Sequence, residues 1–228
     1  MKRLTVAAAL LASPSLSAAL VILNNTVNLS VPDDRSTGLV SQVNVADVGT
    51  INSVTVDLRL SAAAGSQAYL GDLYAYLQHG TQISVLLNRP GRRVGESFGY
   101  DDNQSLNVTF ADAGANIHSY RSTLSGNDTT PLVGPLTGNW QPDGRTADPA
   151  AVLTSQSPTA MLSLFNGLPS EGAWRLFVAD LSGGAIHQLD SWGLTLDITP
   201  VPEPSTWAAF AGVGLLSFVL ARRLGASR

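Results

Sequence analysis

The sequence predicts an all-β sandwich, and three observations carry that prediction. Apolar residues recur at every second position in several short segments. Clusters of turn-forming residues separate those segments. No amphipathic helical pattern of twelve or more residues occurs. The first clear segment has Val54, Val56, Leu58 and Leu60 apolar, with Thr55, Asp57 and Arg59 polar between them. Period two places alternate side chains on one face, so this is a strand with one side buried. Ile83, Val85 and Leu87 repeat the pattern, as do Trp174, Leu176 and Val178. Trp192, Leu194, Leu196 and Ile198 repeat it again. Asp101-Asp102-Asn103, Ser125-Gly126-Asn127-Asp128 and Ser182-Gly183-Gly184 supply turn chemistry between strands. Ala160 to Phe165 is expected to form a short helical turn. From Gly114 to Pro158 the alternation weakens, and a structureless loop of that length is uncommon in a compact domain. An irregular strand or two around Trp140 is expected there, with an excursion over one end of the sandwich.

Both ends of the chain carry a different kind of pattern. Lys2 and Arg3 precede a small, apolar stretch from Leu4 to Leu16, and Ser17-Ala18-Ala19 follows. This is the layout of a secretory signal peptide over residues 1–19, with signal peptidase expected to cut after Ala19. At the other end, Val201-Pro202-Glu203-Pro204 leads into an apolar run from Trp207 to Ala221, closed by Arg222 and Arg223. As a helix at ~1.5 Å per residue the run is roughly 22 Å long. A bilayer core of about 30 Å usually takes ~20 residues, so the span is marginal. The arginines favour a cytoplasmic C-terminal end. Motif, apolar run and arginines, in that order, resemble the PEP-CTERM sorting signal of Gram-negative bacteria. The resemblance implies an exosortase of the inner membrane as partner, transient membrane contact, and a final location in the periplasm, on the surface or in the extracellular matrix. The competing reading is a plain C-terminal anchor.

Residues 20–200 remain as one domain. They hold eight arginines, no lysine and sixteen acids, fourteen of them Asp, for about −8 formal charge. Such a surface repels nucleic acid. There is no cysteine, so the fold rests on its core rather than on disulfides. Asn-x-Ser/Thr triplets at Asn24, Asn28, Asn107 and Asn127 read as polar turns.

The blocks within this domain are similar to the P domain (P/Homo B) that follows subtilisin-like catalytic domains in proprotein convertases and bacterial proteases. Val31-Pro32-Asp33 matches the family's opening, and Ile51 to Val56 its next strand. Tyr69-Leu70-Gly71-Asp72-Leu73 matches an aromatic and Gly-Asp-Leu block; Gly80-Thr81 and Phe110-Ala111-Asp112 follow in order. The closing match is Gly172-Ala173-Trp174-Arg175-Leu176-Phe177-Val178-Ala179-Asp180, then Leu189-Asp190-Ser191-Trp192-Gly193-Leu194. The chain departs at Gln67, where many members carry His, and in a longer stretch from Asn116 to Pro158. The resemblance implies a jelly-roll β-sandwich.

Chemistry is sparse. His79 reads as a turn residue, and His118 and His187 as loop residues, with no metal-ligand spacing among them. No Gly-x-Ser-x-Gly elbow occurs, and Asp180-Leu181-Ser182-Gly183-Gly184 reads as a turn, so no enzyme activity is expected. The metal candidates are carboxylates for calcium: Asp72 with Asp180 at the strand ends, and the local group Asp101, Asp102 and Asn103. The commoner role of each is to cap backbone N–H groups. Trp174 and Trp192 are expected in the core. Trp140, inside Gly138-Asn139-Trp140-Gln141-Pro142-Asp143-Gly144, is a candidate exposed ring for stacking on a sugar. Arg89-Pro90-Gly91-Arg92-Arg93 reads as a solvated hairpin loop able to pair with acidic polysaccharide. Three functions follow: a non-catalytic surface or matrix protein contacting extracellular polysaccharide or another surface protein, an accessory module for a separate subtilisin-like protease, or a calcium- or glycan-binding lectin-like module.

Overall fold

The computed structural model describes residues 17–201, 211–219 and 222–223. The expected signal peptide, apart from Ser17 to Ala19, lies outside the described residues, as do Pro202, Glu203 and Pro204. Nine strands are found among the described residues: β1 (Ala19–Ser30), β2 (Leu39–Val45), β3 (Gly49–Ala62), β4 (Leu73–His79), β5 (Gln82–Asn88), β6 (Leu106–Asn116), β7 (Leu136–Gln141), β8 (Gly172–Asp180) and β9 (His187–Pro200). They form two sheets, β1-β9-β3-β6-β7 and β2-β8-β4-β5. With β7 set aside, the first sheet takes strands one, eight, three and six, and the second takes two, seven, four and five. That order is a jelly roll. Every pairing is antiparallel except β6 with β7.

The alternation maps directly onto burial. Val54, Val56, Leu58 and Leu60 of β3 point inward, opposite Leu196, Leu194, Trp192 and Leu189 of β9. Trp174, Leu176 and Val178 face them from β8. Near-complete burial of a Leu or Val side chain contributes roughly 1.5–3 kcal/mol each, and that shared interior fixes which way every strand faces. On β5, Ile83 is exposed, whereas Ser84 to Asn88 are buried on both sides. The second side is closed by the segment after β7: Asp143 and Gly144 donate backbone N–H to Leu86 and Val85, and Val85 donates to Ala160.

The weakly patterned stretch contains the end of β6, a 3₁₀ turn (Ile117–Ser119), a six-residue helix (Tyr120–Ser125) and β7. The helix ends at Gly126, whose φ of 77° is the left-handed cap that glycine adopts freely. Leu162–Phe165 form the expected short helical turn, of 3₁₀ type.

Residues 211–219 and 222–223 of the tail are helical. Among the described residues no helix is long and apolar enough to cross a membrane.

Candidate functional site

β4 begins where β8 ends. The register pairs Leu73 with Asp180, so Asp72 and Asp180 meet at one end of the sandwich although 108 residues separate them in sequence. Leu181 N–H donates to the Asp72 carbonyl at 2.9 Å. The turn carrying Asp72 is held from the other side by Gly71 N–H on the Tyr100 carbonyl, 2.9 Å. Gly71 is required there: a Cβ would lie 2.6 Å from both the N and the O of Tyr100.

Asp180 is fully buried, and Nδ1 of buried His187 lies 2.7 Å from its Oδ2. Ser182 N–H donates to the other oxygen at 3.3 Å. Asp72 faces Arg89, with Nη2 to Oδ1 at 3.5 Å. Arg89 also donates from Nε to the Gly71 carbonyl (3.2 Å) and from Nη2 to Ser182 Oγ (2.5 Å). Its backbone sits at φ 48°, a left-handed conformation that typically costs about 1–3 kcal/mol outside glycine. Three side-chain contacts over-determine it. Burial pushes the Asp72 carboxyl above its ordinary value; a Ser182 hydrogen bond opposes that, Asp180 adds to it, and Arg89 and His187 offset it. Burial likewise lowers Arg89, with Asp72 acting against it.

Asp72, Arg89 and Ser182 floor an open cleft of about 400 Å³, walled by Tyr69, Phe98, Tyr100 and Asp34, with Asp180 and His187 buried beneath it. Phe98 is 70% exposed and lies under the Arg89 guanidinium at 5.8 Å. Sequence reasoning paired Asp72 with Asp180 but missed Arg89, His187 and Phe98. A basic run beside Pro-Gly reads as solvated, and only the fold reveals where its side chains go. That reading is corrected at Arg89, while Arg92 and Arg93 are half-buried and Arg93 pairs with Glu96 in a short antiparallel bridge. Arg89 is buried, Arg92 donates to the carbonyls of Ser97, Ala150 and Val152, and Arg93 donates to Gly91. The guanidinium forks hold loops together.

The pair is poorly suited to calcium, which takes six to eight oxygens. Both Asp180 oxygens are committed to His187 and Ser182, and Asp72 shares its space with a guanidinium. Among the described residues no group of three or more ligating side chains gathers. Asp101, Asp102 and Asn103 do not converge either. Asp102 is buried and accepts from Tyr120 Oη (2.5 Å), Arg121 Nε (2.8 Å) and Leu132 N–H (2.7 Å). Exposed Asp101 takes the far side of Arg121, and Asn103 Oδ1 accepts from Ala68 N–H.

Three further expectations are corrected. Trp140 is 4% exposed on β7, with Nε1 donating to the Thr137 carbonyl, so its ring has no free face for a sugar. His118 and His187 are buried rather than looped out, each against a carboxylate. His118 Nδ1 lies 2.7 Å from Asp143 Oδ2, and Arg145 Nη1 donates to Asp143 Oδ1 at 3.0 Å. His79 is no surface turn: it stacks on Trp174, centroids 4.1 Å apart and planes 6° off parallel, with its ring nitrogens against the carbonyls of Ala173 and Pro169.

Residues 200–223 match the family described as the PEP-CTERM protein-sorting motif. The motif marks an exported protein of the cell envelope or surface and implies processing by an exosortase. Val201 precedes the described helix exposed, and within it Arg222 lies over the Phe218 ring at 5.7 Å. No curated protein matches the chain. Among solved structures, the chain is similar to the serine protease of Aeromonas sobria at 16% identity and a TM-score of 0.44, over 82% of this chain and 28% of the protease. The same protease in complex with its chaperone aligns at 17% identity and 0.42, over 80% and 28%.

Proposed function

We propose that this protein is an exported, non-catalytic module of the cell surface or extracellular matrix, delivered by an exosortase and working through its β-sandwich. The observation that carries the proposal is the order of parts: a sandwich ending at Pro200, then at once the sorting motif, an apolar helical segment and two arginines. The cleft beside Asp72 and Arg89 is the contact surface of that module. It combines an exposed aromatic wall with a fixed guanidinium, a combination used for recognition. Ser182 and the buried His187 behind the cleft are not arranged as nucleophile and base: Ser182 Oγ accepts from Arg89, and among the described residues His187 Nε2 has no hydrogen-bond partner. Calcium forms no part of the proposal, because the donors do not suit it.

The test follows the tail. In a host with its exosortase intact, the recovered protein is expected to have lost the mass of the C-terminal segment. In an exosortase-deficient strain it keeps that mass and fractionates with the inner membrane. Identical mass and location in both strains would remove the sorting claim. Peptide or ester hydrolysis abolished by Ser182→Ala would remove the non-catalytic claim.

A further inference from the structure

We propose that two copies of this protein associate edge to edge through antiparallel pairing of β1 with β1 of the second copy, making one continuous sheet across the dimer. The sandwich has four sheet edges: β1, β7, β2 and β5. A sheet edge offers unpaired N–H and C=O groups, and natural proteins blunt it with charge, proline, bulges or a covering segment. β5 is covered by the loop that bonds to Val85 and Leu86. β7 is six residues long and broken by Gly138 at φ 97°. β2 has seven residues. β1 has twelve, Ala-Leu-Val-Ile-Leu-Asn-Asn-Thr-Val-Asn-Leu-Ser, with no charge and no proline. Its one blunting device is a bulge between Thr26 and Leu29, where Asn28 takes φ 52°. That leaves Ala19 to Thr26 in regular register with β9 on one side and, among the described residues, no partner strand on the other.

The solvent face of this regular half carries Leu20 (63% exposed) and Ile22 (58% exposed). β2 lies beside it across the sandwich, tied by Asn25 Nδ2 donating to Ser41 Oγ at 2.9 Å, and is equally free of charge. Apart from the α-ammonium that the expected cut after Ala19 leaves on Leu20, the side chains of β1 and β2 make a neutral, partly apolar strip on a domain that carries about −8 formal charge. A second copy meets no charged side chain of β1 or β2 there. Asp197 sits opposite Leu20 on β9 and fixes the direction. Antiparallel pairing puts the two Asp197 carboxylates at opposite ends of the seam; parallel pairing would put them side by side. Antiparallel pairing also closes on a two-fold axis and so stops at a dimer. The paired length is roughly 23 Å for seven residues. A specific interface takes about 1,000 Å², so the seam draws on the β2 flank as well as on β1. A concentration-dependent dimer in the micromolar range is expected.

Sedimentation velocity on the exported, processed protein across a micromolar concentration series is the test. The parent is expected to shift from monomer to dimer. Leu20→Lys with Ile22→Lys, both on exposed positions, is expected to weaken the dimer at least about tenfold, while Val133→Lys, at an exposed site on another loop, leaves it unchanged. The chain has no cysteine, so single cysteines at Leu20, Ile22, Asn24 and Thr26 report the seam directly. The position nearest the two-fold axis is expected to form the inter-copy disulfide most readily. A parent that stays monomeric throughout overturns the proposal. So does a dimer indifferent to the lysines, or one that none of the four cysteines traps.

Discussion

Asp102 and its partners are where a single carboxylate decides most about this protein. Burial alone would raise its carboxyl, but hydrogen bonds from Arg121, Tyr120 and the Leu132 N–H outweigh that and hold it below the ordinary carboxylate value. An acid depressed in the fold lends stability that is complete above its unfolded value of about 3.9 and is lost as pH falls through the folded value. Asp102→Ala is therefore expected to cost about 3 kcal/mol at neutral pH, because it leaves the buried Arg121 guanidinium with exposed Asp101 as its one remaining carboxylate partner among the described residues. Urea melts at pH 7 and at pH 3 check this: the gap between parent and variant should narrow at the lower pH. The neighbouring Tyr100 hydroxyl donates to Asp128, and burial followed by that carboxylate pushes it above the ordinary tyrosine value. Acidic residues in turns were legible from composition. That Asp102 would face Tyr120 and Arg121 was not, since no periodicity links a turn to a helix some twenty residues on.

Strands are the level at which the sequence spoke most clearly. β3, β8 and β9 follow directly from alternation, because each has one face on the core. β1 was hidden, since its apolar start runs on from the expected signal peptide and its remainder is Asn-rich. β7 was expected only as an irregular strand around Trp140; its inward turn comes from pairing parallel to β6. The packing of β4 against β8 makes a further prediction. Trp174 is stacked by His79, approached by Phe165 at 5.0 Å, and donates Nε1 to the Ser170 carbonyl. Trp174→Ala is expected to cost about 3–5 kcal/mol in chemical denaturation, through the cavity and the orphaned carbonyl together. Trp174→Phe should recover more than half of that loss.

Delivery and folding are separate properties of the whole molecule. The sandwich closes with β9, and the sorting segment starts beyond it, so a change in the tail should leave domain stability alone. Arg222→Glu with Arg223→Glu reverses the charge expected to favour a cytoplasmic C-terminal end. Most of the chain is then expected to remain as unprocessed precursor, measured by intact mass, with an unchanged thermal midpoint for the domain. Precursor processed at the parent's rate would show that the arginines play no part in sorting.

Order along the chain was enough to read the sorting motif at the C-terminal end, the all-β class and the inward residues of three strands. These are local properties: a short motif, an apolar run and period two are each written within some twenty residues. The cleft depended on the fold. Tyr69 and Asp72, Arg89, Phe98 to Asp101 and Leu181 to Gly183 come from four separate segments, and only the β4–β8 register and the turn on Tyr100 bring them together. The same holds for the reassignment of His118, His187 and Trp140 from surface to interior. A side chain's burial depends on what packs across from it, and in a jelly roll that neighbour often lies far away in sequence.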